Sequence, residues 1–511
     1  MGEEARVSRM TTFQAGDIEL HRVREHVWEI PREGEMRVPA RVFASEALLE
    51  EIGEDLTLTQ LKNATQLPGM TRYALCLPDG HQGYGFPVGG VGAIDAEEGC
   101  ISPGAIGYDI NCGVRMLRTN LRYGDLQGRE QELVDALFAN IPSGLGGGGV
   151  VETTVDTVEE ILARGVDWAL EEGYAVEGDL THCEDEGVRP GADPDAISQK
   201  AKERGKDQVG SLGSGNHFLE VQRVTDVFRE EVADAYGLEV DQIVVLIHCG
   251  SRGLGHQTCN DYLRKIEKQH AGFLERLPDK ELAAAPAGSQ LAEEYYAAMN
   301  AAINFAWVNR QLITHRTRRV FERVLGRDWE DMEMELLYDV AHNIGKRETH
   351  EVPIDADGEP VADAEDAVDR EHRDLYVHRK GATRAFPAGH PDVPRAYRDV
   401  GQPVIIPGSM GAGSYVLRGG ANSMDVSFGS TAHGAGRLMS RTRAKQEYWG
   451  GDVQTELRDQ QQIFVKAQSG ATVAEEAPGV YKDVDEVVRV SEALGIGDPV
   501  VRTFPVCNIK G

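Results

Sequence analysis

The chain has 511 residues with 84 acidic against 53 basic side chains, a formal net charge of −31. A global positive field for nucleic acid is therefore excluded, though not binding through local cations. The N-terminus shows neither a basic n-region nor an apolar h-region, and Ile243–Ile247, the most apolar run, is far too short to span a bilayer, so a soluble, cytoplasmic, membrane-free protein is expected. Seven cysteines without a C-x-x-C pair argue for a reducing compartment. An acidic surface also suits molar salt, where the Debye length falls to roughly 3 Å, and we expect a halophilic source.

Residues 1–50 are mixed and charged, with a short strand expected over 38–43. Residues 77–92 are rich in glycine, which reads either as loops around a sheet or as backbone N–H groups lining a site. The spacing of Val158, Ile161, Leu162 and Val166 predicts a helix over 154–172, and a second helix follows over 196–206. A buried strand over 242–247 delivers His248. A long helix or helix pair covers 290–325, its apolar face interrupted by Asn304, Asn309 and Arg310. The basic cluster His315–Arg319 reads as last-turn cations complementing the helix dipole, or as a phosphate contact. A strand over 336–341 ends at His342. Residues 355–372 form an acidic surface insertion, and Gly/Pro-punctuated strands follow over 377–416. Helices are expected near 441–448 and 483–494. No repeat or long linker divides the chain. The fold class is therefore α/β (mixed α+β), a single interwoven domain over 1–511 with a motif-bearing core from about 77 onward.

The chemistry gathers around Gly107–Arg115, where Asp109 and Cys112 stand three residues apart in a Gly-flanked turn. His217, His248 and His342 each sit at a strand end or Gly-rich turn beside a polar or thiol residue. One thiolate, three imidazoles and one carboxylate hold two transition-metal ions if the thiolate bridges; ligand softness alone points to Zn²⁺. A metal also depresses the thiol pKa. The loop 211–217 resembles a phosphate cradle with Asn216 as donor. His433, followed by Gly434, Ala435, Gly436 and Arg437, reads either as part of a helix N-terminus capped by Ser430 or as a nucleophile that a phosphate can approach.

At these runs the chain resembles the RtcB family of RNA ligases. The shared stretches are residues 78–87, 109–115, 213–220, 248–256, 339–343, 378–384, 430–437 and 510–511, in family order. The resemblance implies GTP and two Mn²⁺ ions, replacing the Zn²⁺ reading. Asp109, Cys112 and His217 would hold one ion; Cys112, His248 and His342 the other. His433 would be the guanylylated nucleophile. Guanylate contacts would come from Asn216, Phe218, Glu220, Asn343, Pro407, Gly408, Ser409, Met410, Ser414, His433, Gly434, Ala435, Gly436 and Lys510, with Tyr481 packed on the guanine. Asp79 would orient or deprotonate the 5′-hydroxyl. The implied activity joins RNA 3′-phosphate or 2′,3′-cyclic phosphate ends to 5′-hydroxyl ends in tRNA splicing and RNA repair. Its implied partners are tRNA exon halves and an archease-like activator, not DNA, with a monomer as the default state. Arg252, Arg384, Arg437, Arg441, Arg443 and Lys445 would line the RNA path. The rivals are a dinuclear phosphoesterase that only opens cyclic phosphates and a non-catalytic nucleotide- or metal-sensing module. Neither needs both a bridging Cys112 and His433.

Overall fold

The computed structural model describes residues 11–144 and 148–511. Two eight-stranded sheets organise them. The first runs in the order Thr12–Ala15, Ile18–Arg24, Val27–Ile30, Ala40–Phe43, Ala74–His81, Val88–Asp95, Asp369–Lys380, Asn343–Ile354. The second runs Glu335–Ala341, Gly113–Arg122, Gln242–Cys249, Phe218–Val227, Gly497–Lys510, Ser414–Gly419, Pro403–Ile406, with Phe464–Ala467 added parallel to Gly497–Lys510. This bears out the mixed α/β expectation. The chain passes from the second sheet to the first between Ala341 and Asn343, so His342 stands where the sheets meet.

Apolar residues dictate the central strands. All eight residues of Gln242–Cys249 are buried, as expected for a strand covered on both faces. One covering element is the Gln290–Leu325 helix, a single helix of 36 residues. The Ser289 side chain caps its start by accepting from the Ala292 N–H, and Gly326 ends it at φ 68°. The 315–319 cluster therefore lies two turns before the helix end, not in its last turn. Arg318 there makes a buried pair with Asp179 at 2.7 Å.

Other expectations shift in instructive ways. The 154–172 helix is two, Val155–Arg164 and Val166–Glu171, broken at Gly165 (φ 54°). Residues 77–92 are mainly strand, from Ala74–His81 and Val88–Asp95, rather than loop. Their glycines allow close backbone approach: a Cβ on Gly89 would stand 2.8 Å from the Gly80 Cα. The His433 segment is no helix start, since Ser430–Ala432 is a strand paired with Ala382–Arg384. Two elements carry no periodicity that announces them: the Gly450–Gln461 helix and the 14-residue strand Gly497–Lys510. The acidic segment joins Asn343–Ile354 to Asp369–Lys380 and is largely exposed, held to the body by Arg41–Asp363 at 2.6 Å and an Arg72 bond to the Ala362 carbonyl. No helix among the described residues is long and apolar enough to cross a membrane.

Candidate active site

Strand register assembles the first cluster. His248 pairs with Val114 on one side and Phe218 on the other, and Gly113 pairs with both Cys249 and Ala341. Cys112, His217 and His342 are the residues next to Gly113, Phe218 and Ala341. Adjacent strands lie about 4.8 Å apart, so these pairings place four potential ligands in one group. Cys112 Sγ lies 3.4 Å from His217 Nε2 and 3.2 Å from His248 Nε2. His248 Nε2 lies 3.2 Å from His342 Nε2, and His217 Nε2 lies 2.9 Å from Asp109 Oδ2. The donor atoms of Asp109–Cys112–His217 and of Cys112–His248–His342 each fall within 4.8 Å of one another.

The donor set fits divalent cations. His217 Nδ1–H donates to the Leu212 carbonyl at 3.0 Å, which turns the Nε2 lone pair toward Asp109 and Cys112. Burial first, then the Asp109 charge, pushes the Cys112 thiol up to about 11. A cation between the donors would reverse that and leave a thiolate.

A buried layer fixes the ligands. The interruptions in the long helix's apolar face belong to it. Asn309 accepts from the Gly210 and Ser211 N–H groups and donates to the Gly250 carbonyl. Arg310 bridges Asp339 to the carbonyls of Asn111 and Cys249 at 2.7–2.9 Å. Arg115 supports the same Asp339. Asp109 Oδ1 accepts from the Arg252 N–H at 3.2 Å. Gly250 has no alternative, because a Cβ there would sit 2.5 Å from both Asp109 oxygens.

A cleft of about 760 Å³ opens over His248 and His342. It is lined by Asn216, Phe218, Glu220, Asn343, residues 407–410, His433–Gly436, Tyr481 and Lys510. Ser414 does not line it; its hydroxyl accepts from the Gly408 N–H at 3.3 Å behind the 407–410 loop. His433 stands with its ring centroid 4.9 Å from that of His342. Its Nδ1–H donates to Asp79 Oδ2 at 2.5 Å, and the same oxygen accepts the His433 and Gly434 N–H groups. Nδ1 is thus committed, and Nε2 keeps its lone pair. Asp79 meets His433 directly, a contact that the 5′-hydroxyl role did not anticipate.

Lys510 is no frayed terminal residue. It is 3% exposed, and its Nζ stands 3.5 Å from Glu476 and 5.4 Å over the Phe218 ring. Its strand register sets Lys510 opposite Phe218 and Asn508 opposite Glu220. Burial pushes the Glu220 carboxyl up to about 7, against the opposing pull of Lys510.

Cleft residues that escaped the sequence reading include Glu476, Lys380 and His81. Glu476, fully buried, gathers Arg437 at 2.9 Å, Arg441 and Lys510 at 3.5 Å, and the Tyr481 hydroxyl. Burial opposes its ionisation, but these cations hold its pKa below the usual range. Lys380 donates to the carbonyls of Tyr84 and Gly104, and burial lowers its pKa to about 7. His81 donates from Nδ1 to the Asp79 carbonyl at 3.0 Å. Lys380 and His81 lie inside quoted motifs, yet only packing shows them facing the cleft. Of the cations expected along an RNA path, Arg441, Arg443 and Lys445 are exposed, and Arg437 lines the cleft. Arg384 does not qualify: it is 3% exposed and ion-paired with Glu184 and Asp185. Arg252 is also buried, its side chain against Ser211 and Gly213.

Comparison with known proteins identifies the family. The family model described as tRNA-splicing ligase RtcB matches residues 60–511. The tRNA-splicing ligase RtcB of Thermococcus kodakarensis is 54% identical over 495 residues, covering 97% of this chain and 99% of the relative. Those of Nanoarchaeum equitans and Aeropyrum pernix are 48% and 49% identical, each over at least 96% of this chain and 99% of the relative. The chain belongs to the RtcB family of tRNA-splicing ligases.

Proposed function

We propose that this cleft joins RNA 3′-phosphate or 2′,3′-cyclic phosphate ends to 5′-hydroxyl ends through a guanylylated His433, with GTP as nucleotide donor and two Mn²⁺ ions in the Cys112-centred site. The chain is an RNA ligase by family. The observation that carries the chemical reading is His433 itself. Asp79 fixes its tautomer, so Nε2 is a nucleophile in a cleft that also contains the cluster's His248 and His342.

The residues divide the work. His433 Nε2 forms a bond to the α-phosphorus of GTP, and the bond to pyrophosphate breaks. Asp79 steadies the positive charge that the imidazole gains in that step, as a carboxylate does behind a catalytic histidine. A 2′,3′-cyclic end is first opened by water to a 3′-phosphate, and an RNA 3′-phosphate oxygen then displaces His433 from the phosphorus. Finally a 5′-hydroxyl oxygen attacks the RNA phosphorus, its proton passes to solvent, and GMP leaves. Asp109, Cys112, His217, His248 and His342 would hold the two ions, which supply charge neutralisation at the attacking and leaving oxygens. Glu220, when ionised, accepts from the N1–H and 2-amino groups of guanine. Lys510, beside Glu220 and Glu476, is a further guanylate contact, and Arg437 pairs with Glu476 in the same cleft. An archease-like activator, a monomeric state and a cytoplasmic setting belong to the same proposal.

The rival phosphoesterase would open cyclic phosphates without His433. We therefore give wild type and His433→Ala an RNA with a 2′,3′-cyclic phosphate, a 5′-hydroxyl RNA, GTP and Mn²⁺. The ligase reading expects joined RNA from wild type alone. Ring opening by both proteins with no joined product supports the phosphoesterase.

A further inference from the structure

Beyond the cleft lies one feature that the chemistry above does not use. Trp449 is 75% exposed. Of the other four tryptophans, Trp28, Trp168 and Trp307 are buried and Trp329 is half-buried. Trp449 is the most exposed large hydrophobic side chain among the described residues, and aromatic faces of this kind are the usual platforms for bases of single-stranded RNA.

Its position ties it to the cleft. Arg441 and Arg443 line the cleft mouth at the start of the Arg441–Glu447 helix, and Trp449 stands just past that helix's other end. Seven helical residues span about 10 Å. The platform is held rather than floppy. Gly450 packs so tightly on the Gly470 carbonyl that a Cβ would approach it to 2.0 Å, and the indole Nε1 lies 3.1 Å from where Gly451 would carry a Cβ. The neighbouring cations are already engaged: Arg443 with Glu447 at 2.6 Å, Lys445 with Glu475 at 2.7 Å, and Arg441 near Glu475 and Glu476. A phosphate must displace a carboxylate to use them. On a chain of net charge −31, a stacking contact avoids that competition and survives added salt.

We propose that Trp449 is a stacking platform for a base of the single-stranded RNA whose end enters the His433 cleft, while Arg443 exchanges its Glu447 partner for a backbone phosphate. This rests on the RNA-ligase reading.

The test is fluorescence titration of the full-length protein, with Mn²⁺ present, by a single-stranded oligoribonucleotide ending in a 3′-phosphate. We expect quenching of the exposed tryptophan emission on binding. Trp449→Ala should weaken binding about tenfold, the order of one base–aromatic stack, with the salt dependence unchanged. Trp449→Phe should restore most of the affinity. Arg443→Ala should instead flatten the dependence on salt. Because Trp449 is exposed, its truncation should leave the melting temperature unchanged, so lost binding is not lost fold. Binding by wild type without quenching, or wild-type affinity in Trp449→Ala, overturns the platform and leaves the ligase reading intact. Quenching by an added protein partner but not by RNA also overturns it. Absence of any RNA binding by wild type removes both.

Discussion

Asp79 and His433 show how much one hydrogen bond decides. With Nδ1 bound to a buried carboxylate, only Nε2 remains for phosphorus, and the imidazolium that forms meets a counter-charge at once. Asp79→Asn preserves size but removes that charge. It should slow formation of the GMP adduct at least ~100-fold, the usual range for a displaced acid–base partner, while leaving metal content unchanged; both are measured on the same purified protein. Glu220 gives a pH-dependent consequence. Its carboxyl titrates near 7 because burial disfavours the anion. Guanine offers donors, so the ionised form binds it. Guanine-nucleotide affinity should therefore rise as pH increases through about 7 and fall below it. Glu220→Gln should remove this step, and calorimetry across pH 6 to 8.5 (roughly one unit or more either side) checks it. A pH-independent affinity in wild type would contradict the assignment.

At the scale of elements, four strand ends carry four of the five proposed metal ligands, the turn before Gly113 carries Asp109, and one helix holds those ends in place. This partition explains what could be read from the chain beforehand. His217, His248 and His342 were legible because each is a polar residue closing an apolar strand or beside a glycine turn. Asp109 and Cys112 were legible because they share one short turn. Asp79 as the partner of His433 was not, because the two lie 354 residues apart and neither segment's pattern refers to the other. Glu476 was hidden for the same reason, in an ordinary acidic pair at a helix end. Arg310 and Asn309 were visible as interruptions, but their purpose depends on which strands they face. Two substitutions test the partition. Gly250→Ala should press on Asp109 and weaken binding of the ion it helps hold by ~10–100-fold, read by metal titration, with the Cys112–His248–His342 ion less affected. Arg310→Met should leave the Asp339 carboxylate with a single buried partner, Arg115. A broken buried pair is expected to cost about 3–5 kcal/mol of stability, measured by denaturant unfolding.

Across the whole molecule, two sheets meet at His342, and the cleft forms where the first sheet's Asp79 reaches the His433 segment over the second sheet's ligands. The alternating and fully buried strands made the α/β class legible. The final strand was not, because Gly497, Pro499 and Pro505 interrupt its run although its neighbours on both sides complete it. Its placement turns a terminal lysine into a cleft residue. The charge of −31 acts at this same scale. Self-repulsion should dominate at low ionic strength, so the melting temperature should rise as salt increases from about 0.1 M, where the Debye length is ~10 Å, to about 1 M, where it is ~3 Å. A melting temperature independent of salt would show that the surface charges are locally compensated.

The central claim is that His433 is a guanylylated nucleophile, and intact-protein mass tests it most directly. Wild type incubated with GTP and Mn²⁺ should gain the mass of one GMP, and His433→Ala should gain none. An adduct of equal extent on His433→Ala, or no adduct on metal-loaded wild type even with an archease-like activator present, would contradict the account.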